Sequence, residues 1–237
     1  MKVLNEINEI LLSNGASLVG FANIKNYDLK INKKFKSGIS IAVALDPQIV
    51  KDITEGPTLA YYDEYKKVNK KLDFLSDMIS SLINDRGYNA ENWGATDDRI
   101  YGHLMTELPH KTMATLSGLG WIGKCALLIT KEFGAAIRLT TVLTDIDEQI
   151  KDNSIKKSKC NNCRICVDIC PGKAPKGVNW YRGLARDSFF DPDACRKSAR
   201  KLAKERTGIL YTFCGICIAN CPYTKEYVNK KIGKPEY

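Results

Sequence analysis

One run of residues limits the possible architectures of this chain more than any other: Cys160-x2-Cys163-x2-Cys166-x3-Cys170, followed at once by Pro171. A [4Fe–4S] cubane needs four thiolates around it. Three closely spaced cysteines on a tight loop supply three, and the fourth of such a run ligates a second cluster in two-cluster ferredoxins. The proline restricts the backbone just after that fourth cysteine. A zinc site needs only four ligands and more often shows two separate CxxC pairs. A second motif, Cys214-x2-Cys217-x3-Cys221-Pro222, repeats the end of the first without a close leading cysteine, and Cys195 is the candidate left to complete it. By the crossing rule, Cys160, Cys163, Cys166 and Cys221 hold one cluster, and Cys170, Cys195, Cys214 and Cys217 hold the other. The alternative for Cys195 is a buried structural thiol. Two clusters with exchanged ligands lie close together and pass single electrons, so this region reads as an electron conduit.

Composition supports a metal role for the thiols. Nine cysteines in 237 residues would suit a disulfide framework only in an oxidising compartment. The N-terminus, MKVLNEINEILLSNGAS, sets Glu and Asn among its apolar positions, unlike a signal peptide. No apolar run approaches the roughly eighteen residues that span a bilayer. The expectation is a cytoplasmic protein with no membrane partner. Hydrophobic residues make up 44% and charged residues 27%, a globular rather than a disordered balance. The formal charge of +9 suits a nucleic acid or an acidic redox partner, or else a solvated lysine-rich surface. Having only two histidines, His103 and His110, argues against a His-rich catalytic metal centre.

The cysteines also divide the chain. Residues 1–150 contain only Cys125, and residues 151–237 contain the other eight. Residues 147–159, DEQIKDNSIKKSK, read as a linker or surface loop. In the first region Val3, Ile7, Ile10 and Leu11 recur at helical spacing and Asn14-Gly15 closes that helix. Residues 17–22, 39–45 and 137–143 are short, apolar and rich in β-formers, and so predict strands. Residues 58–86 carry Leu72, Leu75, Ile79, Leu82 and Ile83 on one face, a long helix stopped by Gly87. The fold class expected is α/β (α+β), one sheet with helices packed on it.

A resemblance enters at Gly118-Leu119-Gly120-Trp121-Ile122-Gly123-Lys124, followed by Cys125-Ala126-Leu127-Leu128-Ile129 and then Leu143-Thr144-Asp145. Together with the cysteine motifs, this order of segments resembles the epoxyqueuosine reductase family over roughly residues 55–225. Reductive dehalogenases are more distant relatives with the same plan. The resemblance implies a corrinoid-binding domain of nitroreductase-like fold at 1–150 and a double-cubane ferredoxin-like domain at 151–237. Electrons would pass through the clusters to cobalamin, whose reduced cobalt attacks the substrate. In that family the substrate is a modified base in tRNA, which loses an epoxide oxygen. Three departures stand out. Leu104 occupies the position of the family's acidic proton donor, with Glu107 the nearest carboxylate. His110-Lys111 replaces a Glu-Arg pair. Full-length members continue into a helical-repeat domain, whereas this sequence ends at Tyr237, which implies a short form.

Candidate site residues follow. Gly118, Gly120 and Gly123 permit positive φ and close approach to a ligand, Trp121 offers a flat surface, and Lys124 a charge for a carboxamide, phosphate or carboxylate. The alternative is a tight turn with a packed Trp. His110 is a candidate proton donor because imidazole titrates near neutrality, and Glu107 becomes one if burial raises its pKa; either also suits the surface of a helix beginning near Pro109. His103 reads as structural, Cys125 as a small buried hydrophobe, and Tyr61, Tyr62 and Tyr65 as core packing or a cofactor wall. Arg182, Arg186, Arg196, Arg200 and Arg206, interleaved with Trp180, Tyr181, Phe189 and Phe190, form a face for a low-potential electron donor such as ferredoxin or flavodoxin, or for tRNA. No Asp-x-His-x-x-Gly segment occurs, so a bound corrinoid would carry no protein histidine on cobalt. The expected activity is that of an iron–sulfur oxidoreductase using two [4Fe–4S] clusters and a corrinoid. A non-catalytic ferredoxin-type carrier and a flavin-dependent reductase are the competing expectations.

Overall fold

The apolar periodicity of the N-terminus becomes helix α1 (Lys2–Ser13), which buries Leu4, Ile7 and Leu11 on one face. These coordinates are a computed structural model describing residues 2–25, 27, 34–95 and 104–233. Strands β1 (Leu18–Asn23) and β2 (Ser37–Ala44) pair antiparallel, with Leu18 opposite Ala42 and Asn23 opposite Ser37. Nearly all of β2 is buried, Ser37 and Ser40 included, so its sequence shows no alternation of apolar and charged residues. Helix α2 (Pro47–Asp52) is capped by the Asp46 carboxylate, which accepts the N–H groups of Gln48 and Ile49 at 2.8 and 3.2 Å. The long helix α3 (Leu59–Asp85) buries Leu72, Leu75, Ile79 and Ile83 at helical spacing and stops before Gly87, at φ 82°. Strand β3 (Ala90–Trp93), helix α4 (His110–Leu116), the short hairpin β4 (Trp121–Ile122) and β5 (Leu128–Ile129), and strand β6 (Ile137–Thr144) follow. The remainder is helical: α5 (Ile165–Asp168), α6 (Arg186–Phe189), α7 (Pro192–Thr207), α8 (Ile216–Ala219) and α9 (Pro222–Ile232). Helix and sheet are therefore mixed as expected, and residues 145–156 carry no regular structure.

The chain packs as two compact units interleaved in sequence. The first comprises Met1–Ala44, Val68–Leu119 and Arg138–Ile155, within the described residues. Its sheet has the order β1-β2-β6-β3, with β3 antiparallel to β6 from Ala90 opposite Thr144 to Trp93 opposite Thr141. Ala22, Ile24, Phe35, Trp93, Leu108, Met113, Leu116 and Leu143 form its core. Helix α4 crosses β1 and β2 where those strands have no side chains. A Cβ on Gly38 would collide with the Met113 side chain, and one on Gly20 would lie 2.7 Å from Ser117 Oγ. The second unit comprises Leu45–Lys67, Gly120–Ile137 and Lys156–Tyr237, again within the described residues, and contains all nine cysteines. No helix among the described residues is long and apolar enough to cross a membrane.

Candidate functional site

The two cysteine motifs fold alike. Cys163 and Cys214 each precede a one-turn helix, α5 or α8. Cys166 and Cys217 are the second residues of these helices, and Cys170 and Cys221 follow their C-caps, Ile169 and Asn220. Tight turns set up each motif: the Cys163 N–H donates to Cys160 O at 2.9 Å and the Ile218 N–H to Gly215 O at 2.9 Å. Helices α5 and α8 are in contact. All nine thiols are free, with Cys125 buried and the other eight partly exposed.

Several thiols feel their neighbours. Burial pushes the Cys214 thiol up, and the charge of Cys170 adds to that. Burial likewise raises Cys221, with Cys160 as its charged neighbour. Cys170 with Cys214, and Cys160 with Cys221, are the pairs the crossing rule requires. Cys195 lies in the first part of α7, and that turn rests on the chain just after Cys170: a Cβ on Gly172 would sit 2.7 Å from Ala194 O and 2.8 Å from Ser198 Cβ. Among the described residues no three His, Cys, Asp or Glu side chains converge on a single ion. By number and kind, eight thiols on two alike motifs and α7 match the donors two cubanes need.

Cys125 is buried as expected, but its surroundings were not foreseen. Its thiol has as electrostatic neighbours Cys166 and Cys217, the equivalent positions of the two motifs. The Cys166 contact favours ionisation of Cys125. The Cys217 contact and burial outweigh it and push the thiol well up.

The Gly118–Lys124 segment is closely packed. Gly118 is at φ 80°, and a Cβ there would lie 2.7 Å from Asn153 O. A Cβ on Gly120 would collide with the carbonyl of Ile129, and one on Gly123 would lie 2.9 Å from the Ile129 side chain. Trp121 is buried edge-on against Tyr223, with ring centroids 5.0 Å apart, and its Nε1 has no hydrogen-bond partner among the described residues. Lys124 is 4% exposed, and its Nζ donates to Asn161 O at 2.8 Å and Cys163 O at 2.9 Å. The one charge in the apolar run from Trp121 to Ile129 was a legible sign of a special lysine, although its acceptors are backbone carbonyls.

The tyrosines at the start of α3 form an aromatic cluster. Tyr61 and Tyr62 meet Phe213 with centroids 6.1 and 5.2 Å apart, and Tyr62 and Tyr65 each meet Tyr211 at 6.0 Å. The cluster holds the approach to Cys214. In the first unit, His110 Nε2 is 3.0 Å from Gly94 O, an acceptor only, so Nε2 carries a hydrogen; Nδ1 is 2.9 Å from Thr141 Oγ1, whose hydroxyl it accepts in the neutral imidazole. Pro109 is the N-cap of α4 rather than its first helical residue. Glu107 is exposed, and His103 lies outside the described residues. Of the basic residues, Arg196, Lys197 and Arg200 line an open groove of about 500 Å³ with Asp193 and Ala194, flanking Cys195. Arg186 pairs with Asp187 at 2.9 Å, Arg206 Nε donates to Pro57 O at 3.3 Å, and Phe189 is buried.

No family model matches the chain. The curated relatives it matches are epoxyqueuosine reductases. That of Atelocyanobacterium thalassa is 31% identical over 168 residues, 70% of this chain and 49% of the relative. That of Lactococcus garvieae is 29% identical over 167 residues, 69% of this chain and 42% of the relative. The chain thus spans about half the length of these relatives. Among solved structures, a reductive dehalogenase whose structure suggests a mechanism for B12-dependent dehalogenation has a TM-score of 0.70 at 15% identity, covering 92% of this chain and 31% of that one. An epoxyqueuosine reductase with an epoxyqueuosine-modified tRNA-Tyr stem loop has a TM-score of 0.61 at 18% identity, covering 94% of this chain and 66% of that one. At such identities the structural likeness is one of fold. By sequence the chain is a relative of the epoxyqueuosine reductases, and by fold it stands with them and with the reductive dehalogenases.

Proposed function

We propose that this protein is an iron–sulfur oxidoreductase that delivers electrons through two [4Fe–4S] clusters to a second cofactor, a corrinoid, for reduction of a substrate of the epoxyqueuosine class in tRNA. The observation that carries the reading is the pair of alike cysteine motifs on α5 and α8, two helices in contact, with eight partly exposed free thiols between them and α7. Cys160, Cys163, Cys166 and Cys221 would hold one cluster, and Cys170, Cys195, Cys214 and Cys217 the other. When bound, these clusters supply one-electron transfer at low potential. The chain's part is placement. Helices α5 and α8 present matching cysteines, the aromatic cluster on α3 steadies the approach to Cys214, and α7 carries Cys195. The basic groove of α7 beside Cys195 suits an acidic donor such as a ferredoxin or flavodoxin.

The corrinoid rests on the resemblance alone. Trp121 and Lys124 are buried inside the cysteine-bearing unit, so they are assigned no step at a corrinoid. Neither candidate is assigned the proton transfer: Glu107 is exposed, and both ring nitrogens of His110 are engaged. That engagement and the packing of Trp121 also favour a second reading, a ferredoxin-type carrier with no corrinoid of its own.

Anaerobic reconstitution followed by iron, sulfide and zinc analysis, then cobalamin addition and gel filtration, tests both. We expect about eight irons and eight sulfides per chain and retained cobalamin with an altered absorption spectrum. Zinc without sulfide would end the electron-transfer reading. Full clusters with no retained corrinoid make the protein a carrier, and retained flavin makes it a flavin-dependent reductase.

A further inference from the structure

Lys124 sits in the turn between β4 and β5, 4% exposed, and both acceptors of its Nζ belong to the first cysteine run. They are the carbonyls of Asn161 and Cys163, on either side of Asn162. Asn161 is at φ 46°, a left-handed turn conformation that asparagine tolerates better than most non-glycine residues. Its carbonyl also accepts Asn179 Nδ2 at 3.1 Å. A trans peptide directs its N–H opposite to its C=O. Two carbonyls drawn to one ammonium therefore turn the N–H groups of Asn162 and Arg164 away from Lys124.

We propose that Lys124 is a positioning residue for the cluster held by Cys160, Cys163, Cys166 and Cys221, fixing the peptides of the cysteine run and raising that cluster's reduction potential. The inference rests on the cluster reading above and deepens it. Reduction adds negative charge to a cluster. A positive charge in a water-poor interior stabilises the added electron far more than one at the surface does. Net charge and hydrogen bonds around the sulfurs are among the factors that set cluster potentials. Lys124 satisfies both conditions from a segment outside the cysteine motifs.

The test is an anaerobic redox titration with dithionite as the electron source, followed by EPR, on reconstituted wild-type protein and Lys124→Gln. Glutamine removes the charge and keeps an N–H donor for the carbonyls. We expect about eight irons in both proteins. One of the two potentials should move negative in the variant, by on the order of tenfold in the one-electron equilibrium constant, ~59 mV. Loss of one cluster with the other's signal intact would also support the assignment, as a failure confined to the anchored loop. Full iron with both potentials unchanged overturns the inference and leaves the cluster reading standing. Loss of both clusters overturns it too, because a residue confined to one loop would spare the other. Wild-type protein without iron and sulfide overturns the cluster reading itself.

Discussion

Two cysteines outside the tight motifs, Cys125 and Cys195, are assigned opposite tasks. Cys195 stands on α7, on the turn that rests against Gly172, and completes the count for a second cluster. Cys125 is deeply buried with Cys166 and Cys217 as neighbours, and the two proposed clusters are complete with eight thiols without it. The expected outcome is that Cys195→Ala retains about four of eight irons and loses the magnetic interaction between two reduced clusters, while Cys125→Ala retains all its iron. Iron analysis with EPR of the dithionite-reduced variants checks this, and a cluster missing from the Cys125 variant would reverse the assignments. The two cysteine motifs were legible because their signal is local spacing. The neighbourhood of Cys125 was not, because it arises from a hairpin far from the motifs in sequence. Lys124 announced itself as a lone charge in an apolar run, yet its acceptors are backbone carbonyls, which no side-chain pattern encodes. His110 had no such signal, since Thr141 and Gly94 reach it from elements distant in sequence.

Elements with strong periodicity, such as α1, α3, β1, β2 and β6, were readable from the sequence; β3 was not. Its residues Ala90-Glu91-Asn92-Trp93 show no apolar alternation, and it is a strand because β6 and its neighbours hold it. One clamp is Asp145, just after β6, whose carboxylate accepts the Asn89 N–H at 2.8 Å and Asn89 Nδ2 at 2.6 Å, just before β3. Partial burial works to raise this carboxyl, but the Asn89 hydrogen bonds prevail and hold it below the usual carboxylate range. Because the folded value is depressed, the stabilisation is present above the unfolded pKa, about 3.9, and is lost as pH falls through the folded value. Asp145→Asn should therefore cost about 1–2 kcal/mol at pH 7 and progressively less as pH falls below 4. Urea unfolding across that range is the measurement. An equal deficit at both ends would mean that packing, not the charge, is what Asp145 supplies.

At the scale of the whole molecule, composition divides the chain where the cysteines begin, whereas packing divides it elsewhere. Residues 45–67 and 120–137 join the cysteine-bearing unit because Tyr61 and Tyr62 stack on Phe213 and because Gly134 fits against Thr224, leaving no room for a Cβ. Within that unit, α5 and α8 have four residues each, too few to persist as isolated helices. Their order must come from contacts, and metal bound to their cysteines would couple ligation to folding. The first unit needs no such support. Its strands are packed around Ile39, Ile41 and Leu143, each 0% exposed. Removing the clusters with a chelator under oxidising conditions should thus unfold the molecule locally. Amide hydrogen exchange should rise by roughly two orders of magnitude in residues 160–170 and 214–221, while β1 and β2 keep their protection. Unchanged exchange in the cysteine segments would show that the clusters are dispensable to the fold. Equal loss of protection in β1 and β2 would show that the two units share one stability. A loss confined to the cysteine segments is the outcome expected of a chain whose sheet stands by packing and whose redox helices stand by ligation.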